Sequence, residues 1–438
     1  MNFRHFLESA SASMQAQIPV SQNVHTLSAF LKAGDSNVQV YVVGGAVRDF
    51  LNSYFHNQRN FTPKDIDLTT NLSEEEILQR LRTSKAQSAG IKVKEKESVD
   101  TFGVVFSHVN GEDFEIAPFR KDVGSADGRR PEKVERGSIY DDAMRRDLTM
   151  NNLYYDFEKG EILDFNPNGQ GIEDIKNGVA RPVGNPFQRF HEDKLRVLRL
   201  IRFFSRFNAG SILEKLDNHT REAIEKYKNL QSFGITPERI FMEFTAGIKQ
   251  ALNTASFLEN YVALDLMKTV FPAMVVDYNI ISRLGATKNI RVILAALLRN
   301  NKNVGNALIK LKYPSDIANR VAFLLNLYEK MKTDQQSISR IHSLTKERDK
   351  YIDPNYSPEQ QAQMSQDVQN DIYEFSRVLG VDLNPDRMNH FATYNPPSVD
   401  AQELINRGLK GPQIGQEQDR IRDDHYKQSF EDWLKKRN

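Results

Sequence analysis

The 438-residue chain contains no cysteine, which excludes disulfides, thiolate metal sites and a cysteine nucleophile. It has no long apolar run. Nothing approaches the roughly 18 uncharged residues of a membrane-spanning helix, so no membrane association is expected. Neither sign of charge is in excess. Lys plus Arg total 59 against 58 Asp plus Glu, for a formal net charge of +1. This balance removes the simplest argument for a polyanion partner without excluding one, because phosphate affinity follows local fields. The nine histidines show no metal spacing such as HExxH, and there is no GxSxG elbow. NGQGIED (168–174) lacks the third glycine and the βαβ setting of a dinucleotide fold. The start, MNFRHFLESASASMQAQIPV, is Ser-rich with an early Arg4, but Glu8 and its two-sided polarity argue against a transit peptide.

What is present is an ordinary globular composition, 39% hydrophobic and 27% charged. The chain is too long for one core, and two to four domains are expected. The first third reads as mixed α/β. VQVYVV (38–43) is a strand ending at Gly44-Gly45, and AVRDFL then reads as helix. FGVVFSHVNGEDFEIAPF (102–119) reads as two strands joined by a two-residue turn at Asn110-Gly111. Residues 120–140, polar and glycine-rich, read as a mobile loop. From about residue 190 the period becomes helical. Further helices are expected around 237–268, 285–299, 316–332 and 360–379, with a polar connection over 333–358.

Five stretches can carry chemistry. In VVGGAVRD (42–49), a strand running through two glycines into a helix offers bare backbone N–H groups at a positive helix end, which suits a triphosphate. Arg48 then reaches a phosphate or pairs with Asp49; the plainer alternative is a tight turn. In DIDL, Asp65 and Asp67 share one face of an extended strand. Two hard oxygen donors with room for water and phosphate describe a Mg²⁺ site, and the cation would offset their repulsion. The alternative is a solvated acidic turn. Glu115 faces away from Phe114 and Ile116, either as a third carboxylate for the metal or as an outward charge. RRDLTMNN (145–152) sets Arg145 and Arg146 either to clamp phosphate or to pair at a helix terminus.

HEDKLRVLRLIRF (191–203) is the most informative stretch. Asp193, Arg196, Arg199 and Arg202 recur every three residues, which predicts a polar line on adjacent turns of one helix. The line is set in apolar bulk, so its arginines need acidic or phosphate partners. The plainer alternative is a salt-bridged face of a core helix. Asp193 and Arg196 have a sharper reading. An aspartate accepts from an exocyclic amino group, and an arginine donates to a ring nitrogen lacking hydrogen. Cytosine and adenine satisfy both; guanine and uracil oppose donor to donor and acceptor to acceptor.

VVGGAVRD, DIDLTT, EIAPFR, DGRRPEKVE, RRDLTMNN, DFNPNGQGIEDIKNG and HEDKLRVLRLIRF together resemble, in order and spacing, the class II tRNA nucleotidyltransferases. These CCA-adding enzymes share their family with bacterial poly(A) polymerases. The resemblance covers residues 40–208, continues in FGITPERIFMEF (233–244), and is weaker in PPSVDAQELINRGLKGPQIG (396–415), which resembles the eukaryotic-type tail. It implies an α+β fold: a palm-like nucleotidyltransferase α/β head with a small sheet (1–155), then an all-α neck (156–232), body (233–335) and tRNA-binding tail (336–438). It also implies template-independent addition of C, C and A to the tRNA 3′ end from CTP and ATP; poly(A) polymerase or a non-catalytic RNA-binding protein are the alternatives.

By position, the resemblance gives Asp65 and Asp67 to catalytic Mg²⁺, with Glu115 near the metal, and Gly44, Gly45 and Arg48 to the triphosphate. Arg146 would contact the nucleotide, Asp193 and Arg196 would read the base, and Arg199 and Arg202 would continue the nucleotide-binding line. The loop 120–140 is the implied lever for switching from C to A. Three positions depart from the family pattern: Asn152 for Ala, the interrupted pair Gly169-Gln170-Gly171, and Arg136 for an apolar or aromatic residue. The partners implied are tRNA, CTP and ATP, with no obligate protein partner. The implied compartment is the cytoplasm, with a mitochondrial or nuclear pool if the source is eukaryotic. Basic runs at Arg299, Lys302, Lys310 and Lys312, and at Lys427, Lys435, Lys436 and Arg437, are candidate RNA contacts or solvated faces.

Overall fold

The computed structural model describes residues 11–56, 61, 63, 65–94, 103–124, 133–333, 355, 357–380, 390, 394 and 397–436. The first ten residues, residues 125–132 of the expected loop and nearly all of the expected connection 333–358 lie outside them. The chain divides into two compact units, Met1–Leu252 with Asn260–Thr269, and Asn253–Glu259 with Val270–Asn438.

The first unit is built on an eight-stranded sheet in the order β1-β10-β9-β2-β3-β6-β5-β4. The strands are β1 (Ala12–Gln15), β2 (Val40–Val43), β3 (Asp67–Thr70), β4 (Ile91–Val93), β5 (Val105–Val109), β6 (Glu112–Pro118), β9 (Leu153–Asp156) and β10 (Glu161–Asp164). The sheet is larger than expected, because the edge strand β1 and the β9–β10 hairpin join it. All four residues of β2 are buried, as a continuous apolar run in a central strand requires. Asn110 and Gly111 both have positive φ (46° and 93°), and they close the β5–β6 hairpin at the expected place. β3 pairs with β6 in parallel, with Asp67 directly opposite Glu115.

The polar segment after β6 corrects one expectation. It is a two-stranded ribbon at its base, β7 (Arg120–Val123) with β8 (Lys133–Arg136), rather than loop throughout. The ribbon is rooted tightly. Gly137 N–H donates to the Phe119 carbonyl at 3.2 Å, and a Cβ at Gly137 would stand 2.8 Å from the Arg120 carbonyl carbon and 2.9 Å from the Lys121 nitrogen. Arg136 donates to the Asn71 carbonyl at 2.7 Å, which anchors the ribbon just past the end of β3.

The helices of this unit include α1 (Gln22–Lys32), α2 (Gly45–Phe55), α3 (Glu74–Leu81), α4 (Ile139–Met144), α5 (Gln170–Asn177), α6 (Pro186–Glu192), α7 (Arg196–Phe207), α8 (Asn218–Tyr227) and α9 (Pro237–Gln250). The stretch 191–203 is not one helix, which corrects a second expectation. α6 ends at Glu192, Asp193 is extended (φ −147°, ψ 106°), and α7 starts at Arg196. The Asp193 side chain supports the break: its Oδ1 accepts from Leu195 N–H at 3.1 Å, closing a local turn just before α7. Val197, Leu198, Leu200, Ile201, Phe203 and Phe204 bury the apolar face of α7. That face packs on α9.

Among the described residues the second unit is helical, with Ile290–Leu298, Val304–Lys310, Ser315–Thr333, Pro358–Leu379, Ala401–Asn406 and Pro412–Lys435. Its core is Ile290–Leu298, apolar and almost wholly buried. Buried Asp371 joins three helices there, accepting from Asn289 (2.7 Å) and Arg320 (2.9 Å) and pairing with Arg291 (2.9 Å). No helix among the described residues is long and apolar enough to cross a membrane.

Candidate functional site

A cavity of about 440 Å³ opens in the first unit where the β2–α2 turn faces α7. Gly44 and Gly45 form one wall. Gly44 has φ +71°, so the turn needs a residue without Cβ, and α2 begins at Gly45 with its N-terminal end bare. Arg48, Arg145, Arg146, Asp193, Arg196 and Arg199 also line the cavity. Seven of the eight residues expected to bind nucleotide therefore share one space. Arg202, the eighth, is buried outside the lining, where it donates to Glu243 (2.7 Å) and Gln250 (3.1 Å).

Five lining residues escaped assignment from the sequence: Asp147, Asn151, Leu195, Phe203 and Arg239. Arg239 and Glu243 were legible in principle, since both stand on α9 four residues apart and so share a face of an otherwise apolar stretch. Arg239 approaches both carboxylate oxygens of Asp193, at 3.2 and 3.1 Å, and so holds the acceptor in place. Arg196 is fixed by three acceptors: Glu192 Oε2 (2.8 Å), the Arg145 carbonyl (3.1 Å) and the Arg189 carbonyl (3.3 Å). Asp193 and Arg196 thus reach the cavity from different elements, each on its own support.

The arginines of the cavity floor are tied to buried acids. Asp142 accepts from Arg145 (2.5 Å), Arg146 (3.0 Å) and the Tyr154 hydroxyl (2.6 Å). Burial alone would raise its carboxyl, but Arg146 and Arg145 outweigh burial and hold it at about 2. Asp147 is likewise held well below the usual carboxylate range; burial opposes this, and Arg199 and Asn151 prevail. Arg48 is only 5% exposed. Its guanidinium lies 4.8 Å from the Phe203 ring and donates to Asp49 (2.9 Å) and Asn151 (2.7 Å). The cavity is therefore rich in donors whose orientations are fixed beforehand.

Three carboxylates stand beside this cavity without lining it. β3 begins at Asp67, so Asp65 precedes the strand rather than lying on it, and it is exposed. A Cβ at Gly44 would come 3.5 Å from Asp67 Oδ2, so this carboxylate adjoins the glycine turn. Asp67 is raised above the usual range by burial, with Asp65 adding to the rise and Arg146 opposing it. Glu115 is raised by burial, Asp67 and Asp65. Neighbouring negative charge thus adds to burial at Asp67 and Glu115, and a divalent cation held there would offset it. Among the described residues no three acids already converge on one metal position.

The departures from the family pattern have local causes. Buried Asn152 donates to Asn166 at 2.9 Å, so its amide is used inside the core. A Cβ at Gly171 would stand 2.6 Å from the Thr149 carbonyl, while Gln170 between the glycines donates to Asp174 at 2.8 Å.

Residues 40–181 match the family described as the poly A polymerase head domain. Over 239 residues, 54% of this chain and 52% of the relative, the sequence is 35% identical to a CCA-adding enzyme of Ligilactobacillus salivarius. It is 34% identical, over 53% of this chain and 49% of the relative, to the human protein named CCA tRNA nucleotidyltransferase 1, mitochondrial. The chain thus spans about half the length of the curated relatives it matches. The fold matches the crystal structure of the Bacillus stearothermophilus CCA-adding enzyme in complex with CTP, with a TM-score of 0.59 and 19% identity over 95% of this chain and 98% of that one.

Proposed function

We propose that this chain, whose residues 40–181 match the poly A polymerase head domain, belongs with the class II CCA-adding enzymes and poly(A) polymerases and is a template-independent tRNA nucleotidyltransferase. It adds C, C and A to tRNA 3′ ends from CTP and ATP. The observation that carries this reading is one cavity joining a glycine turn at a helix start to Asp193 and Arg196. The first suits a triphosphate, and the second pair suits the Watson–Crick edge of cytosine or adenine.

In this reading the triphosphate lies on the Gly44 and Gly45 backbone with Arg48, and Arg146 contacts the nucleotide. Asp193 accepts from the exocyclic amine while Arg196 donates to the ring nitrogen, so the protein edge replaces a template. Arg199 and Arg202 complete the line, Arg202 through Glu243. Asp65 and Asp67 would hold Mg²⁺, with Glu115 beside them; bound there, the ion neutralises the acids and stabilises charge on the triphosphate. The tRNA 3′ oxygen attacks the α-phosphate, a new phosphodiester forms, and pyrophosphate leaves. Positioning and charge supply most of the catalysis.

We assign residues 1–155 to a catalytic head, 156–232 to a neck, 233–335 to a body and 336–438 to a tail that holds tRNA. The compartment proposed is the cytoplasm, with a mitochondrial pool in a eukaryotic source, in keeping with the human relative's name.

The test is incubation of tRNA lacking its last three nucleotides with each labelled nucleotide singly, then with CTP and ATP together. CTP alone should add C, and both together should complete CCA. ATP addition to arbitrary RNA ends, with CTP refused, would make the protein a poly(A) polymerase. Asp65→Ala should abolish transfer of both nucleotides while tRNA still binds. Asp193→Ala should blur base choice more than it slows chemistry.

A further inference from the structure

α7 is tied to the head at both ends, and the two ties meet at Arg48. In its first turn Arg199 pairs with Asp147 Oδ2 at 2.6 Å. Asp147 Oδ1 accepts from Asn151 Nδ2 at 3.0 Å, and Asn151 Oδ1 accepts from Arg48 Nη1 at 2.7 Å. On its other side Arg48 Nε donates to Asp49 Oδ1 at 2.9 Å. Asp49 Oδ2 then accepts from Arg206 Nη2, at 2.6 Å, in the last turn of α7. The side chains of Arg48, Asp49, Asn151 and Asp147 thus form a hydrogen-bonded arc that closes on one helix through Arg199 and Arg206.

Every link runs from donor to acceptor in the allowed sense, and Asn151 is the member on which this depends. Arg48 can only donate and ionised Asp147 can only accept. A residue between them must do both, and an amide does. Arg48 and Asn151 are 5% and 8% exposed, so the links act where water competes little.

We propose that Asn151, with Asp49 and Arg206, is a set of positioning residues for base selection. The arc fixes the rotation of α7 relative to the phosphate-holding arginine. It thereby fixes Arg196, the first residue of α7, at the distance from the triphosphate that a pyrimidine or purine edge demands. Discrimination by opposed donors works only if the protein edge cannot turn to accommodate the wrong base. Arg206 does not line the cavity, yet in this proposal it contributes to choosing the base. The proposal rests on the nucleotidyltransferase reading above and adds to it the residues that hold the reading edge still.

The test uses the full chain with tRNA lacking its last three nucleotides, comparing kcat/KM for CTP and for UTP. Thermal unfolding and tRNA binding are measured in parallel. Asn151→Ala and Arg206→Gln should each lower the CTP-to-UTP ratio about tenfold, and the double variant should be no worse than the worse single, because both open the same arc. Arg206→Lys, which unlike the shorter, neutral Gln keeps a charged donor long enough for Asp49, should retain most of the ratio. If CTP and UTP rates fall by one common factor, Asn151 acts on the ribose, the phosphates or general stability, and the proposal is overturned. Additive losses in the double variant overturn it as well. Should Asn151→Ala prove unfolded, the contrast between Arg206→Gln and Arg206→Lys decides: equal ratios in the two variants reject the role. A wild-type protein that incorporates no CTP rejects the underlying reading instead.

Discussion

Asp67 faces Glu115 across two parallel strands, and burial with neighbouring negative charge raises both carboxyls. A raised folded-state pKa means that ionisation works against folding. The stability these groups allow is fullest below the ordinary carboxylate pKa and declines as pH rises through the folded values. At neutral pH without metal, Asp67→Asn should therefore raise the melting temperature. In the wild type, added Mg²⁺ should raise it by mass action, and in Asp67→Asn that response should be lost. A variant that melts lower without metal, or still responds to Mg²⁺, would contradict the assignment. Asp142 has the opposite sign. With its carboxyl held at about 2, it stabilises the fold above the ordinary range near pH 4, and that contribution is lost as pH falls towards 2. Tyr154→Phe removes one of its donors and should cost roughly 1–3 kcal/mol in denaturant unfolding at neutral pH.

At the scale of elements, local chemistry made some of the site legible and long-range contacts hid the rest. Gly44, Asn110 and Gly111 all have positive φ, where left-handed-tolerant residues fit, so the turn and the hairpin could be read directly. The placement of Arg48, Arg146, Asp193 and Arg196 around one cavity followed from motifs of known spacing. The break at Asp193 could not be read, because Asp193 keeps the three-residue spacing of a helical line. At the break the Asp193 side chain turns back to accept from Leu195 N–H and is braced by Arg239, 46 positions away. Edge strand β1 is equally hidden: ASMQ carries little β-propensity, and its pairing to β10 supplies the order. The interrupted glycine pair belongs at this scale too. Gly171 lets α5 start against the Thr149 carbonyl, inside the motif that carries Arg146 and Asn151. Gly171→Ala should therefore destabilise by about 1–3 kcal/mol through overpacking, and should reduce nucleotide addition beyond what the lost stability explains. Gln170→Gly, restoring a run of glycines, should leave addition nearly unchanged, since Asp174, which accepts from Gln170, is also held by Thr149 and Arg181.

Across the whole molecule, 59 basic and 58 acidic residues are sorted by pairing rather than by position along the chain. Arg145, Arg146, Arg199 and Arg202 each meet an internal carboxylate, so they orient donors without adding net field. The same division runs through the second unit. Arg299 pairs with Asp277 at 2.6 Å, and Lys435 lies 3.5 Å from Asp432. Lys302, Lys310 and Lys312 are exposed, with no carboxylate in ion-pair range among the described residues. If tRNA is held through its phosphates, these three lysines are the ones whose counterions it would release. Replacing all three with Gln should weaken tRNA binding at low salt. It should also flatten the dependence of log affinity on log salt by about 2, at roughly 0.7–0.9 per phosphate contact. Arg299→Gln and Lys435→Gln should alter the slope little, because their charges are already matched within the chain. The measurement is a binding titration at several salt concentrations. An unchanged slope in the triple variant would move the RNA contact elsewhere, while the net charge of +1 would stay as uninformative about RNA as it is in the sequence.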